Sequence, residues 1–342
     1  MILHNRINGK VLKEQIKASD LERVTLSFYK YVKLTDPQSF RDQLYQDYHN
    51  LGVLGRIYVA NEGVNAQISV PKDNLDNFEG YMNMSAELNG AHLNIAVDDD
   101  GKSFFKLKIQ VRKKILADGL EDESFDVTDK GTHLTAEEFN KLADDPNTVI
   151  LDMRNHYETE VGHFKNAITP DVDTFRESLP IIEDMLADKK DKNLLMYCTG
   201  GIRCEKASAY YKHNGFENVF QLKGGIIEYA RQVNDQELEN KFIGKNFVFD
   251  ERLGERISDD IISQCHQCGK PCDDHTNCKN DGCHLLFIQC EECAEKYENC
   301  CSEECVDTIH MPEEEQKKIR QGKNKGRQVF KKGRSEKLVF KK

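Results

Sequence analysis

Residues 22–31, ERVTLSFYKY, alternate apolar and polar positions, with Val24, Leu26, Phe28 and Lys30 on one face, as in a half-buried strand. Asp36-Pro37 then supplies an acidic cap and a first-turn proline, and Phe40, Leu44, Tyr48 and Leu51 recur at helical spacing. Segments 55–60 and 64–70 read as two strands around Asn61-Glu62-Gly63. Pro71-Lys72-Asp73 opens a second helix that buries Leu75, Phe78, Met82 and Leu88, and segments 92–97 and 104–111 finish as strands. The order βαββαβ with a late extra strand predicts an α+β, ferredoxin-like sheet with helices on one face.

Beyond an acidic, loop-like stretch at 113–130 the pattern changes to alternating β and α. Thr135-Ala136-Glu137-Glu138 is a capping box ahead of a helix. Segments 148–153 and 193–197 are continuous apolar runs, the kind buried on both faces of a parallel sheet. A helix from about Cys204, a strand at 219–222 and a helix from Gly225 follow, which predicts a doubly wound α/β domain. Segment 242–250 reads as a strand or extended tie, and a cysteine-rich stretch and a basic tail close the chain. The expected organisation is multidomain, α+β and α/β, with boundaries at 1–115, 130–235, 242–310 and 311–342.

Composition sharpens this picture in three places. No apolar run is long enough to span a bilayer and the first residues lack a signal-peptide core, so a cytoplasmic protein with no membrane partner is expected. Of 12 cysteines, ten lie between Cys265 and Cys305, and in a reducing compartment such crowding favours metal ligation over disulfides. The net charge of −11 conceals a tail, 316–342, with 12 Lys or Arg and one acid, Glu336. A disordered arm on RNA phosphates is expected there, against a solvated charge run that serves solubility. The Asn61–Asn65 turn is a second place where RNA could be read, unless it is an ordinary hairpin turn.

The two pairs Cys265-x2-Cys268 and Cys290-x2-Cys293 have the spacing of knuckles that share one tetrahedral zinc. Cys272, Cys278, Cys283, Cys300, Cys301 and Cys305 suffice for a second site, with His266, His275 and His284 as substitute ligands. A module of this size buries too little apolar area to fold unaided, so structural zinc is expected, with an iron–sulfur cluster or free thiols as alternatives.

The chemical centre is Tyr197-Cys198-Thr199-Gly200-Gly201-Ile202-Arg203-Cys204. A buried strand delivers Cys198 to its C-terminal end, where open α/β sheets bind ligands. Two glycines let Thr199, Gly200, Gly201 and Ile202 fold into a bowl of inward-pointing amides, and a helix N-terminus and Arg203 add positive charge. Each of these lowers a thiol pKa, so Cys198 is expected as the nucleophile with Arg203 beside it. The bowl is one residue shorter than tyrosine-phosphatase-like loops, a size for a sulfur atom or small planar electrophile rather than phosphate. Cys204 could resolve an oxidised Cys198 or be a passive helix residue.

Leu151-Asp152-Met153-Arg154, Tyr157-Glu158 and Gly162-His163-Phe164, with the Cys198–Arg203 loop and Gly224-Gly225-Ile226, resemble a rhodanese domain. Asp152, Arg154 and His163 then read as scaffold. Ala60-Asn61-Glu62-Gly63-Val64-Asn65-Ala66, Cys204-Glu205-Lys206-Ala207-Ser208, Phe242-Ile243-Gly244-Lys245-Asn246-Phe247 and Cys265-His266-Gln267-Cys268-Gly269 extend the likeness. In this order they resemble the rhodanese-containing tRNA uridine hydroxylases. The resemblance implies an oxidoreductase that converts the wobble uridine of tRNA to 5-hydroxyuridine with molecular oxygen as co-substrate. Cys198 would act as a thiolate adding to C6 of uracil or as a persulfide. A rhodanese-type sulfurtransferase and an RNA-binding adaptor with an idle rhodanese domain are the competing readings.

Overall fold

The computed structural model describes residues 7–120, 125–321, 335, 338 and 339. The first element among the described residues is α1 (Gly9–Lys17), which the hydrophobic pattern did not announce. There follow β1 (Arg23–Tyr31), α2 (Pro37–Asn50), β2 (Leu54–Ala60), β3 (Gly63–Pro71), α3 (Leu75–Met84), β4 (Asn94–Ile95) and β5 (Leu107–Val111). Next come β6 (Thr132–Leu134), α4 (Ala136–Ala143), β7 (Thr148–Asp152), α5 (His156–Thr159), β8 (Gly162–Phe164) and α6 (Phe175–Met185). After these stand β9 (Asn193–Tyr197), α7 (Ile202–His213), β10 (Asn218–Leu222), α8 (Gly225–Gln236) and β11 (Phe242–Asn246). The last elements are β12 (Glu255–Arg256), β13 (His275–Asn277), β14 (Leu286–Ile288), α9 (Glu291–Lys296), α10 (Glu303–His310) and α11 (Glu313–Arg320). Among the described residues no helix is long and apolar enough to cross a membrane.

The chain divides into two compact units. The first contains residues up to 148 with 191–239 and 248–252, and the second contains 149–190, 240–247 and residues from 253 on. In the first unit, five strands lie in the order β4-β1-β3-β2-β5, the ferredoxin-like arrangement with β5 added parallel to β2. Alternation decides the two faces: Leu26, Phe28, Ile57, Val59, Ile68 and Ile109 pack into one core with Leu44, Tyr48 and Phe78 of α2 and α3. Asp36 caps α2 through the backbone N–H groups of Gln38 and Ser39, as its sequence predicts. The expected strand at 92–97 shrinks to Asn94–Ile95, because the pairing with β1 extends over only Leu26↔Ile95 and Ser27↔Asn94.

The same unit holds three parallel strands in the order β6-β10-β9, with α4, α7 and α8 packed on them. The capping box of α4 forms as expected between Thr135 and Glu138. Helix α7 starts at Ile202, two residues earlier than the sequence suggested, so Arg203 and Cys204 lie in its first turn.

In the second unit, β8, β11 and β12 form a small antiparallel sheet and β13 pairs with β14. The extended tie ends as a strand at Asn246 rather than at residue 250. Helix α6, unannounced by the sequence pattern, carries Pro180 in its interior. The tail was expected to be unstructured from residue 311, but 313–320 form helix α11. Leu338 is buried beside Cys278, Cys300 and Cys305. The rest of the basic arm lies outside the described residues.

Candidate active site and metal centre

Strand β9 is buried from Leu194 to Tyr197, where it ends, and the next residue, Cys198, is 1 % exposed. Gly201 caps α7 with φ +97°, a left-handed conformation that glycine adopts without strain. Its N–H donates to Cys198 Sγ at 3.1 Å. The Gly224-Gly225-Ile226 segment closes the loop from behind: Ile226 N–H donates to the Cys198 carbonyl at 3.0 Å and Ile227 N–H to that of Thr199 at 3.3 Å. A Cβ on Gly225, also left-handed, would stand 2.4 Å from the Cys198 carbonyl oxygen, so only glycine allows this approach.

Burial is the largest influence on the Cys198 thiol and pushes it up. Against it act a hydrogen bond with the Cys204 thiol, the Arg203 charge and the backbone N–H groups of Cys204 and Arg203. Together they bring the thiol down from 9.0 to about 6, so it is ionised at neutral pH. Arg203 donates to Thr199 Oγ1 at 3.4 Å and lies 5.9 Å from the centre of the Phe249 ring. Cys204 is fully buried and directly beside the reactive sulfur. The arrangement can hold a buried thiolate, with N–H donors and the Arg203 charge turned toward it.

Several supporting residues could not be found from the sequence. Asn94 donates from Nδ2 to the Gly200 carbonyl at 3.1 Å. Tyr29 donates to Glu205 Oε1 at 2.9 Å, and burial pushes its hydroxyl far up, so it stays a donor. Glu205 also meets His133 at 2.8 Å and Lys130 at 2.8 Å. Burial raises the Glu205 carboxyl, but His133 and Lys130 outweigh it and hold the group below the usual range. These partners come from β1, from β6 and from residue 130, and nothing local to Glu205 points to them.

The Asn61–Asn65 turn makes internal bonds, as an ordinary hairpin turn does. Glu62 accepts from Lys206 at 2.6 Å and from Ile115 N–H at 2.7 Å, and Asn65 donates to the Ile115 carbonyl at 3.2 Å. Lys206 itself is 1 % exposed and pairs also with the buried Asp118 at 2.9 Å.

In the second unit, Arg154 and Asp152 are both fully buried and bonded to each other, with Arg154 also donating to the Gly162 carbonyl at 2.6 Å. His163 Nδ1 sits 3.0 Å from the Phe164 carbonyl.

The predicted knuckles do come together: the sulfur atoms of Cys265, Cys268, Cys290 and Cys293 all lie within 4.8 Å of one another. Cys278, Cys283, Cys301 and Cys305 form a second such set. The sulfur separations are 3.6 Å for Cys268–Cys290 in the first set, and 3.6 Å for Cys283–Cys301 and 3.8 Å for Cys301–Cys305 in the second. Four thiolates about 2.3 Å from one zinc stand about 3.8 Å apart along the edges of a tetrahedron, so both sets fit a single ion. Bridged clusters of several irons hold their terminal thiolates further apart. Cys272 and Cys300 belong to neither set and are buried as core residues. The histidines are not in the sets either. His266 is bonded to Glu160 at 2.9 Å and accepts from Ile288 N–H, and His275 packs edge-on against Phe247.

Three family profiles match the chain. Residues 23–115 match the UPF0176 acylphosphatase-like domain, 135–232 the rhodanese-like domain and 243–306 the rhodanase C-terminal region. A tRNA uridine(34) hydroxylase of Photorhabdus laumondii is 57 % identical over 97 % of this chain and 95 % of its own. Proteins of the same name from Enterobacter sp. (strain 638) and Yersinia pestis are 56 % and 57 % identical, each over 97 % of this chain and covered over 96 % and 94 % of their own lengths. Identity at this level along the whole length places the chain in the tRNA uridine(34) hydroxylase family.

Proposed function

We propose that this protein hydroxylates the wobble uridine of tRNA at C5, with molecular oxygen as oxidant and Cys198 as the reacting group. The observation that carries the reading is the Cys198 thiol, brought to about 6 inside a loop whose amides and Arg203 converge on it. The name of the full-length relatives supplies the substrate. Hydroxylation places one oxygen on C5; the other leaves as water with two electrons and two protons from a reductant, for which a dithiol serves in the assay. The thiolate would start the reaction either by adding to C6, which makes C5 enolate-like, or by carrying a persulfide, formed when it takes the outer sulfur of a sulfane donor such as thiosulfate and sulfite leaves. The 1 % exposure of Cys198 supports the persulfide form, because its outer sulfur extends about 2 Å beyond a recessed Sγ. The hydrogen bond between Cys204 and that sulfur supports a resolving role for Cys204 when Cys198 is oxidised.

Each four-cysteine set holds one structural zinc in this reading: Cys265, Cys268, Cys290 and Cys293, and Cys278, Cys283, Cys301 and Cys305. The ions supply folding energy to the C-terminal module and take no part in the chemistry. The setting is cytoplasmic, where tRNA is found and thiols stay reduced.

The test is incubation of the purified protein with unmodified tRNA and dithiol under labelled oxygen, followed by nucleoside mass analysis; because dithiol strips a persulfide, a second arm loads Cys198 with thiosulfate and uses a non-thiol reductant. Label is expected in 5-hydroxyuridine at the wobble position, and absent without oxygen or with Cys198→Ser. Loss of a thiolated nucleoside, rather than of 5-hydroxyuridine, in cells lacking the protein would assign sulfur transfer instead.

A further inference from the structure

The first-unit sheet has a second face, the one α2 and α3 do not cover. Because Ile57, Val59, Leu107 and Ile109 enter the core, their neighbours Arg56, Tyr58, Lys108 and Gln110 project the other way. Strand register lines these residues up into two rows. One runs Asn94, Ser27, Gln67, Arg56, Lys108 across all five strands. The other runs Tyr29, Asn65, Tyr58, Gln110.

The two ends of this face differ in character. At the β4–β1 end it supports the Cys198 loop: Asn94 holds the Gly200 carbonyl, and a Cβ on Gly201 would stand 3.0 Å from the Tyr29 hydroxyl. At the β2–β5 end it gathers Arg56, Lys106, Lys108 and Arg112, of which Arg56, Lys108 and Arg112 are exposed. The Arg112 guanidinium lies 5.5 Å from the centre of the Tyr58 ring and donates to Gln110 at 3.0 Å. Among the described residues none of the four cations pairs with a carboxylate, in a protein with 59 acids against 48 bases. Burial first, and then Lys106, Arg56 and Arg112, lower the Lys108 pKa, so these like charges crowd one another. Crowded, unpaired cations around a ring are what a polyanion with flat bases would relieve.

We propose that this face is the track for the single-stranded RNA flanking the target uridine, with Arg56, Lys108 and Arg112 on phosphates and Tyr58 under a base. The inference rests on the tRNA reading above. Three strand spacings separate β1 from β5, about 14 Å, a span of a few nucleotides. The uridine delivered to Cys198 and its neighbours in an anticodon loop fall on that scale. Duplex RNA lacks the exposed base faces that Tyr58 would stack on, so single-stranded RNA is the partner favoured.

The experiment measures binding of an anticodon stem–loop, and the KM for it, in the full chain carrying Arg56→Glu, Lys108→Glu and Arg112→Glu together. Gln substitutions at the same positions and Tyr58→Ala serve as milder variants. At moderate salt the triple Glu variant is expected to bind at least tenfold more weakly. The log–log salt slope should fall by about 2, as three lost contacts to a single strand require. Tyr58→Ala should weaken binding about tenfold with the salt slope kept. The alkylation profile of Cys198 should match the wild type in every variant, which excludes a disturbed loop. Unchanged affinity and slope in the triple variant, with wild type binding and modifying the stem–loop, would overturn the track. Equal weakening of a blunt RNA duplex would also overturn it, in favour of a general phosphate patch. Wild type that neither binds nor modifies the stem–loop would instead remove the tRNA reading itself.

Discussion

Replacing Arg203 with Gln removes a full positive charge from the loop while keeping a polar, unbranched side chain and the helix N-terminus. The wild-type thiol stands at about 6, so about 90 % of Cys198 is thiolate at pH 7. Loss of a nearby cation raises such a group by about 1 unit or more, which leaves about 50 % thiolate at that pH. A more basic thiolate is also a better nucleophile, by about threefold per unit. Alkylation of the variant by iodoacetamide should therefore be slightly faster than wild type at pH 7 and about threefold slower at pH 5. The two rate profiles cross, which a single-pH measurement would miss. The assay is a timed pulse at each pH, quantified by mass spectrometry on the peptide that carries Cys198. For the route that begins from the free thiolate, kcat/KM of the wild type should fall about tenfold per unit below pH 6, as the thiolate is protonated. The stability linked to this group has the same sign: a depressed pKa stabilises the fold fully above the unfolded value near 9, and that contribution is lost as pH falls through 6. An Arg203→Gln profile with an unmoved midpoint would refute the electrostatic account and leave the amides and Cys204 as the cause.

Elemental analysis of protein purified under reducing conditions should find one zinc per four-cysteine set, and Cys268→Ser should lose one ion while Cys278, Cys283, Cys301 and Cys305 keep theirs. Arg154→Met should destabilise the second unit by about 3–5 kcal/mol in urea unfolding, because it leaves Asp152 buried and unpaired. Near-wild-type stability there would mean that Asp152 is neutral or finds another partner. Asn94→Ala should lower kcat/KM about tenfold with the Cys198 titration unmoved, since Asn94 holds the Gly200 carbonyl and not the sulfur.

Local signals were sufficient wherever a few adjacent residues set the outcome. Alternation placed β1, the Asp36 side chain capped α2, and Thr135 with Glu138 started α4, because backbone bonding and side-chain period act within one or two turns. The Cys198 loop was legible for the same reason: its strand, its glycines, its helix N-terminus and Arg203 are contiguous. The knuckle cysteines carried a recognisable spacing; Cys278-x4-Cys283 and Cys301-x3-Cys305 fall within zinc-ligand spacing too, but among six remaining crowded cysteines the sequence did not choose which four bind. Only the fold brings those four sulfurs together, and it turns His266 away to Glu160 instead. Glu205 looked like an ordinary helix residue until strands and loops far along the chain supplied Tyr29, Lys130 and His133. The same holds for the row from Asn94 to Lys108, which exists only once strand pairing fixes the register. Long-range pairing depends on which surfaces bury the most apolar area together, and that quantity is not written in any one segment.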